Sequence, residues 1–128
     1  MADGKPSILI YRDTLRLLLN SFGPEDFYAI MGDIYHTKKM NTEAYAAYDS
    51  ALVYNSANIG ALNNYAYYLS LERRDLDKAE EISYRTVKAE PNNSTYLDTY
   101  AWILFEKGNY AEARLYIDAV SYTHLTLP

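Results

Sequence analysis

Few side chains in this sequence could act on a bond. Histidine occurs twice, at His36 and His124, and cysteine is absent. A histidine metal cluster and a thiolate site are therefore both excluded. His36 is the one candidate general base outside the chain's last residues, and on a polar helix stretch it reads as a solvated residue. The carboxylate pairs Asp75/Asp77 and Glu80/Glu81 stand where a turn gives way to a helix. There they read as caps and as charges favoured by the positive helix end, not as a general acid and base. Neither a glycine-rich phosphate loop nor a GxSxG elbow is present. The expectation is a protein that is not an enzyme and needs no cofactor.

The totals narrow the partners. A formal charge of −5 lacks the basic surface that neutralises phosphates, so nucleic acid is not expected. The same charge disfavours an anionic membrane face. No apolar run approaches the roughly 20 residues that span a bilayer, so no membrane insertion is expected. The opening MADGKPSILI has neither the basic start nor the sustained apolar stretch of a secretory signal. With 49% apolar and 23% charged residues the chain has globular composition, and 128 residues suit one domain or a few small repeats.

Hydrophobic spacing indicates helices throughout and no strand. Ile8, Tyr11, Leu15, Leu18 and Leu19 give one apolar face over Pro6 to Asn20, which Gly23 and Pro24 stop. Pro24 opens the next helix, with Phe27, Ile30, Met31, Ile34 and Tyr35 on one side. Lys39 to Thr42 is a turn, followed by a helix from about Glu43 to Tyr54. Further helices contain LNNYAYYLS (Leu62–Ser70) and LDTYAWILF (Leu97–Phe105). Asp77, with Glu80 three residues on, is the expected N-cap of the helix between them. Ser94 or Thr95 is expected to cap the LDTYAWILF helix. Gly108 ends it, and Asn109 caps the last helix.

The two nine-residue stretches are the same pattern written twice. Leu62, Tyr65, Ala66 and Leu69 recur 35 positions on as Leu97, Tyr100, Ala101 and Leu104. Tyr28, Met31, Gly32 and Tyr35 precede them by 34. Ala44, Ala79 and Ala113 form a second series spaced 35 and 34. Such a period belongs to helix-turn-helix solenoids. Gly32, Ala66 and Ala101 are small where the two helices of one pair would touch, and the second series is small on the facing helix. Most tyrosines, including Tyr35, Tyr48, Tyr65 and Tyr100, fall on seam positions, so they read as packing and not as an aromatic cage.

On MGDIY, YAYYL and YAWIL, the alanine series, the closing Pro91 and the KGNY turn, the chain resembles the tetratricopeptide repeat (TPR) family. The resemblance covers nearly everything from Glu25 to Asp118. It implies an all-α fold, an α-solenoid of antiparallel helix pairs in a right-handed superhelical stack. The expected divisions are 1–24, the second helix of a preceding partial unit; 25–58, 59–93 and 94–119, three units with the last truncated; and 120–128, a tail. That tail, VSYTHLTLP, leaves the helical pattern and resembles translated sequencing-adapter read-through, which implies a non-native end. Thr86 stands where the family usually has alanine.

The family binds a peptide or a partner's helix in a concave groove lined by the first helix of each pair. Carried over by pattern, the groove positions include Asp33 and His36 in the first unit, Asn63, Asn64 and Tyr67 in the second, and Thr95, Asp98, Thr99, Trp102, Phe105 and Glu106 in the third. The asparagines would hydrogen-bond a peptide backbone. Tyr67, Trp102 and Phe105 would be rigid anchors. Asp33, Asp98 and Glu106 would favour a basic or neutral protein or peptide partner. Of the residues that grip a C-terminal carboxylate in chaperone-binding relatives, Asn64 alone has a counterpart here, so that ligand is not expected. The resemblance thus implies a noncatalytic interaction scaffold. The alternative is a structural spacer or self-association segment of a larger protein, with the same face receiving a neighbouring unit or the chain's own ends.

Overall fold

A computed structural model describes Arg16, which is helical, and residues 23–126, with backbone alone for 24, 25 and 121–126. The expected helix over Pro6 to Asn20 otherwise lies outside the described residues. Six helices follow: α1 (Pro24–Thr37), α2 (Asn41–Tyr54), α3 (Ile59–Leu71), α4 (Leu76–Ala89), α5 (Ser94–Glu106) and α6 (Tyr110–Thr126). No strand occurs among the described residues. The chain divides into two compact units, Met1–Ser56 and Ala57–Pro128. In the first, α1 packs on α2; in the second, α3 packs on α4, α5 lies against both, and α6 packs on α5.

The first helices of the three pairs close in the same way. After α1 the Met40 amide donates to the Tyr35 carbonyl (2.9 Å), after α3 Arg74 donates to Leu69 (2.9 Å), and after α5 Asn109 donates to Leu104 (2.8 Å). Each closing bond is accompanied by a residue in the left-handed region, Lys39 (φ 61°), Arg73 (φ 51°) and Gly108 (φ 86°), and the α3–α4 turn adds a second, Asp75 (φ 46°). This bond pattern satisfies carbonyls orphaned at a helix end and reverses the chain for an antiparallel partner. Lys39, Arg73 and Gly108 are spaced 34 and 35 apart, like the seam series.

Helix starts differ in part from expectation. Asp75, not Asp77, caps α4; its carboxylate accepts from the Lys78 amide (3.3 Å), so no capping box forms with Glu80. Asn93, not Ser94 or Thr95, caps α5, accepting from Thr95 N (3.0 Å) and Tyr96 N (3.3 Å). Helix α2 begins at Asn41, two residues before Glu43. The Asn109 carbonyl accepts from Ala113 N (2.9 Å) at the start of α6. That helix runs unbroken through 119–120 to Thr126 instead of leaving the helical pattern. Val120 supplies a physical reason: it packs with Ala119 and Tyr116 against the buried cluster Val87, Leu97, Tyr100, Leu104 and Ala113, so tertiary burial overrides the weak helix propensity of a β-branched stretch.

The small-residue series are buried in both units. Ala66 and Ala101 are 0% and 1% exposed, and Ala44, Ala79 and Ala113 are buried with them. Leu62, Tyr65, Leu69, Leu97, Tyr100 and Leu104 complete the seams; Tyr48 is fully buried and Tyr35 half-buried. Thr86 is buried without penalty because its hydroxyl donates to the Ser83 carbonyl (2.6 Å). The ends of α3, α4 and α5 are tied by charge. Arg73 pairs with Glu106, and Lys107 Nζ reaches both Asp77 (2.6 Å) and Glu80 (3.0 Å).

Candidate functional site

Helix α5 is amphipathic in a particular way. Leu97, Tyr100, Ala101 and Leu104 face inward, whereas Asp98, Trp102 and Phe105 recur at four- and three-residue spacing and are exposed. Trp102 and Phe105 are 39% and 50% exposed and stack on each other, with centroids 5.9 Å apart and planes at 22°. Tyr110, the first residue of α6, leans on Phe105 at 5.2 Å. These rings border a cleft of about 570 Å³ between α5 and α6, with Ala101, Ala113, Ile117 and the charged Asp98 and Arg114 also in its lining. The Arg114 Nε is directed to Asp118 Oδ2 (3.9 Å).

A second cleft, of about 550 Å³, lies between α3 and α5 and is lined by Asn63, Tyr67, Ser94, Thr95, Asp98, Thr99 and Val120. Asn63 is 9% exposed, and its Oδ1 is buried with no hydrogen-bond partner among the described residues. Such an acceptor costs roughly 1–3 kcal/mol, which a folded protein tolerates where something else is gained. The Thr99 hydroxyl donates to the Thr95 carbonyl (3.1 Å). Asp98 lies on both clefts, is exposed, and makes no ion pair among the described residues.

Within Ala57–Pro128, several of the expected groove residues border two clefts that share Asp98. Asn63, Tyr67 and Asp98 come together in the α3–α5 cleft, with Thr95 and Thr99. Trp102 and Phe105 belong to the α5–α6 cleft, which Asp98 joins. Asn64 is half-buried and lines neither of these two clefts. Asp33, in the other unit, accepts from the Tyr48 hydroxyl across the α1–α2 seam, beside a small hollow of about 190 Å³ with Ile34, Thr37 and Lys38. Glu106 is occupied by Arg73. Tyr110, Arg114 and Ile117 were not among the expected positions. Their spacing marks one stripe of α6, but the resemblance assigns a groove to first helices only, and α6 is a second helix.

Among the described residues no group of three His, Asp or Glu side chains is placed to hold a metal ion, and no helix is long and apolar enough to cross a membrane. No protein-family model matches the chain, and a search of curated proteins finds no match.

Proposed function

We propose that this chain is a noncatalytic interaction scaffold of the TPR type, an α-solenoid of antiparallel helix pairs stacked in a right-handed superhelix, that binds a protein or peptide segment along its exposed α5 face. The thrice-repeated closing turn and the buried small-residue series support the repeat architecture. The observation that carries the binding role is the exposed Trp102–Phe105 stack, with Tyr110, over the α5–α6 cleft. Large rings held rigid at the edge of an apolar hollow are poor surface for water and good anchors for a partner side chain. Asp98 and the overall charge of −5 favour a basic or neutral partner.

Selection from displayed random peptides, run in parallel on the chain and on Trp102→Ala, tests this. Sequences enriched on the first and not on the second are expected. No enrichment on either, or equal enrichment on both, would overturn it.

A second reading, a spacer or self-association segment, is favoured by the exposure of Leu115 and Ile117 on α6, at 69% and 43%. Sedimentation velocity separates the two: a defined oligomer that Ile117→Lys dissolves supports assembly, and a monomer supports binding of a different partner.

A further inference from the structure

We infer that the α3–α5 cleft is a subsite for the arginine side chain of a bound peptide; this rests on the reading of α5 as a binding face. Three observations converge. Asp98 places an exposed carboxylate on the cleft with no cation paired to it among the described residues. Asn63 contributes an acceptor oxygen that is buried and unpartnered. Tyr67, 40% exposed, adds an aromatic ring to the lining.

The polar lining discriminates between ligands. Among the described residues no basic side chain lines the cleft, and Asp98 repels an anion. An apolar side chain would leave Asn63 Oδ1 as unsatisfied as before. A lysine ammonium meets the carboxylate, but it is a compact point charge that does not stack. A guanidinium offers five N–H donors in one plane, enough for a two-pronged bond to Asp98 and a further bond to Asn63, while its face lies on the Tyr67 ring. The soft χ2 torsion of asparagine lets the amide turn to meet a donor entering the cleft. The methylenes of arginine lie along the same ring and Val120.

The test is an amide NMR titration of the ¹⁵N-labelled chain with the acetylated, amidated pentapeptide Ala-Ala-Arg-Ala-Ala. Parallel arms carry citrulline or lysine in place of arginine, and another uses free arginine. Saturable shifts are expected at the Asn63 side-chain amide and along Thr95–Thr99, with binding weakened roughly tenfold or more by citrulline and by Asp98→Asn, the loss of one charge-assisted bond. Lysine should bind more weakly than arginine. Asn63→Leu should bind more weakly yet unfold no earlier than the parent, because it removes a buried unsatisfied group. Equal binding of citrulline or lysine, indifference to Asp98→Asn, or shifts confined to other surfaces would overturn the subsite. Free arginine binding as tightly as the peptide would overturn the peptide assignment. Should the arginine peptide fail while displayed peptides still select in a Trp102-dependent manner, this inference alone falls; failure of both sinks the scaffold reading with it.

Discussion

A Cβ atom added to Gly32 would lie 2.6 Å from Cε1 of Tyr48. Tyr48 is fully buried and its hydroxyl is bonded to Asp33, so the ring has nowhere to retreat. At the corresponding positions of the α3–α4 pair stand Ala66 and Ser83, both fully buried: one methyl more on the first helix, a ring less on the second. Sizes at this crossing are thus set pair by pair. Gly32→Ala is expected to destabilise by about 1–2 kcal/mol, overpacking outweighing the helix propensity it gains. In a Tyr48→Ser background the same change should turn stabilising, by about 1 kcal/mol, as propensity alone remains. Urea denaturation of the four proteins measures both signs.

Two of the left-handed turn residues, Lys39 and Gly108, should respond in opposite directions to substitution. Lys39 holds φ 61° against the steric preference of a side chain, and Gly108 holds φ 86° without that cost. Lys39→Gly is expected to stabilise by about 0.5–1 kcal/mol, and Gly108→Ala to destabilise by about 1 kcal/mol. No neighbour lies within 4 Å of a Cβ added to Gly108, so the effect there is purely one of backbone strain. Thermal melts by circular dichroism check both.

What was legible beforehand follows from what local spacing encodes. Leu62, Tyr65, Ala66 and Leu69 could be placed in a seam because a 3.6-residue period puts them on one face, and they are buried. The caps were harder. Asp75 and Asp77 are both acidic and two residues apart, and only the closing turn of α3, with Asp75 itself at φ 46°, decides which one starts α4. Helix spacing gives the face on which Asp33 stands, but not the bond it accepts from Tyr48, 15 positions away. The two clefts beside α5 depend on where α6 and α3 lie against it, which no window along one helix contains. The extension of α6 past Ala119 has the same origin, in contacts of Val120 remote in sequence.

Alkali should probe the α5–α6 seam through Tyr100. Burial, reinforced by the carboxylates of Glu112 and Glu80, pushes its hydroxyl up to about 12. The group is favoured neutral in the folded state, so its contribution is intact below the ordinary tyrosine value near 10 and lost as pH rises from 10 toward 12. Melting temperature is expected to fall across that window, and Tyr100→Phe should flatten the fall. An equal alkaline slope in the variant would contradict the burial.

Acid should probe the charge staple at the other end of α5. The Lys107 ammonium, by hydrogen bond and charge, holds the Asp77 carboxyl below its ordinary value, and the bonds to Asp77 and Glu80 in turn raise Lys107. The Asp77 contribution is present above about pH 4 and is lost as pH falls through its lowered pKa; that of Lys107 persists through the neutral range and is lost only above its ordinary alkaline value. Lys107→Met is expected to lower the neutral-pH melting temperature and to lessen its decline below pH 4. Melts from pH 2 to 7 on both proteins decide it.

The central claim, that the exposed α5 rings are a binding surface and not packing, is tested most directly by calorimetric titration of one display-selected peptide into the chain and into Trp102→Ala/Phe105→Ala. These side chains are half-exposed, so the variant should keep its fold, with a melting temperature changed by only a few degrees. Affinity is expected to drop at least about tenfold, the ordinary cost of removing an aromatic anchor. An unchanged dissociation constant in a folded variant would contradict the account.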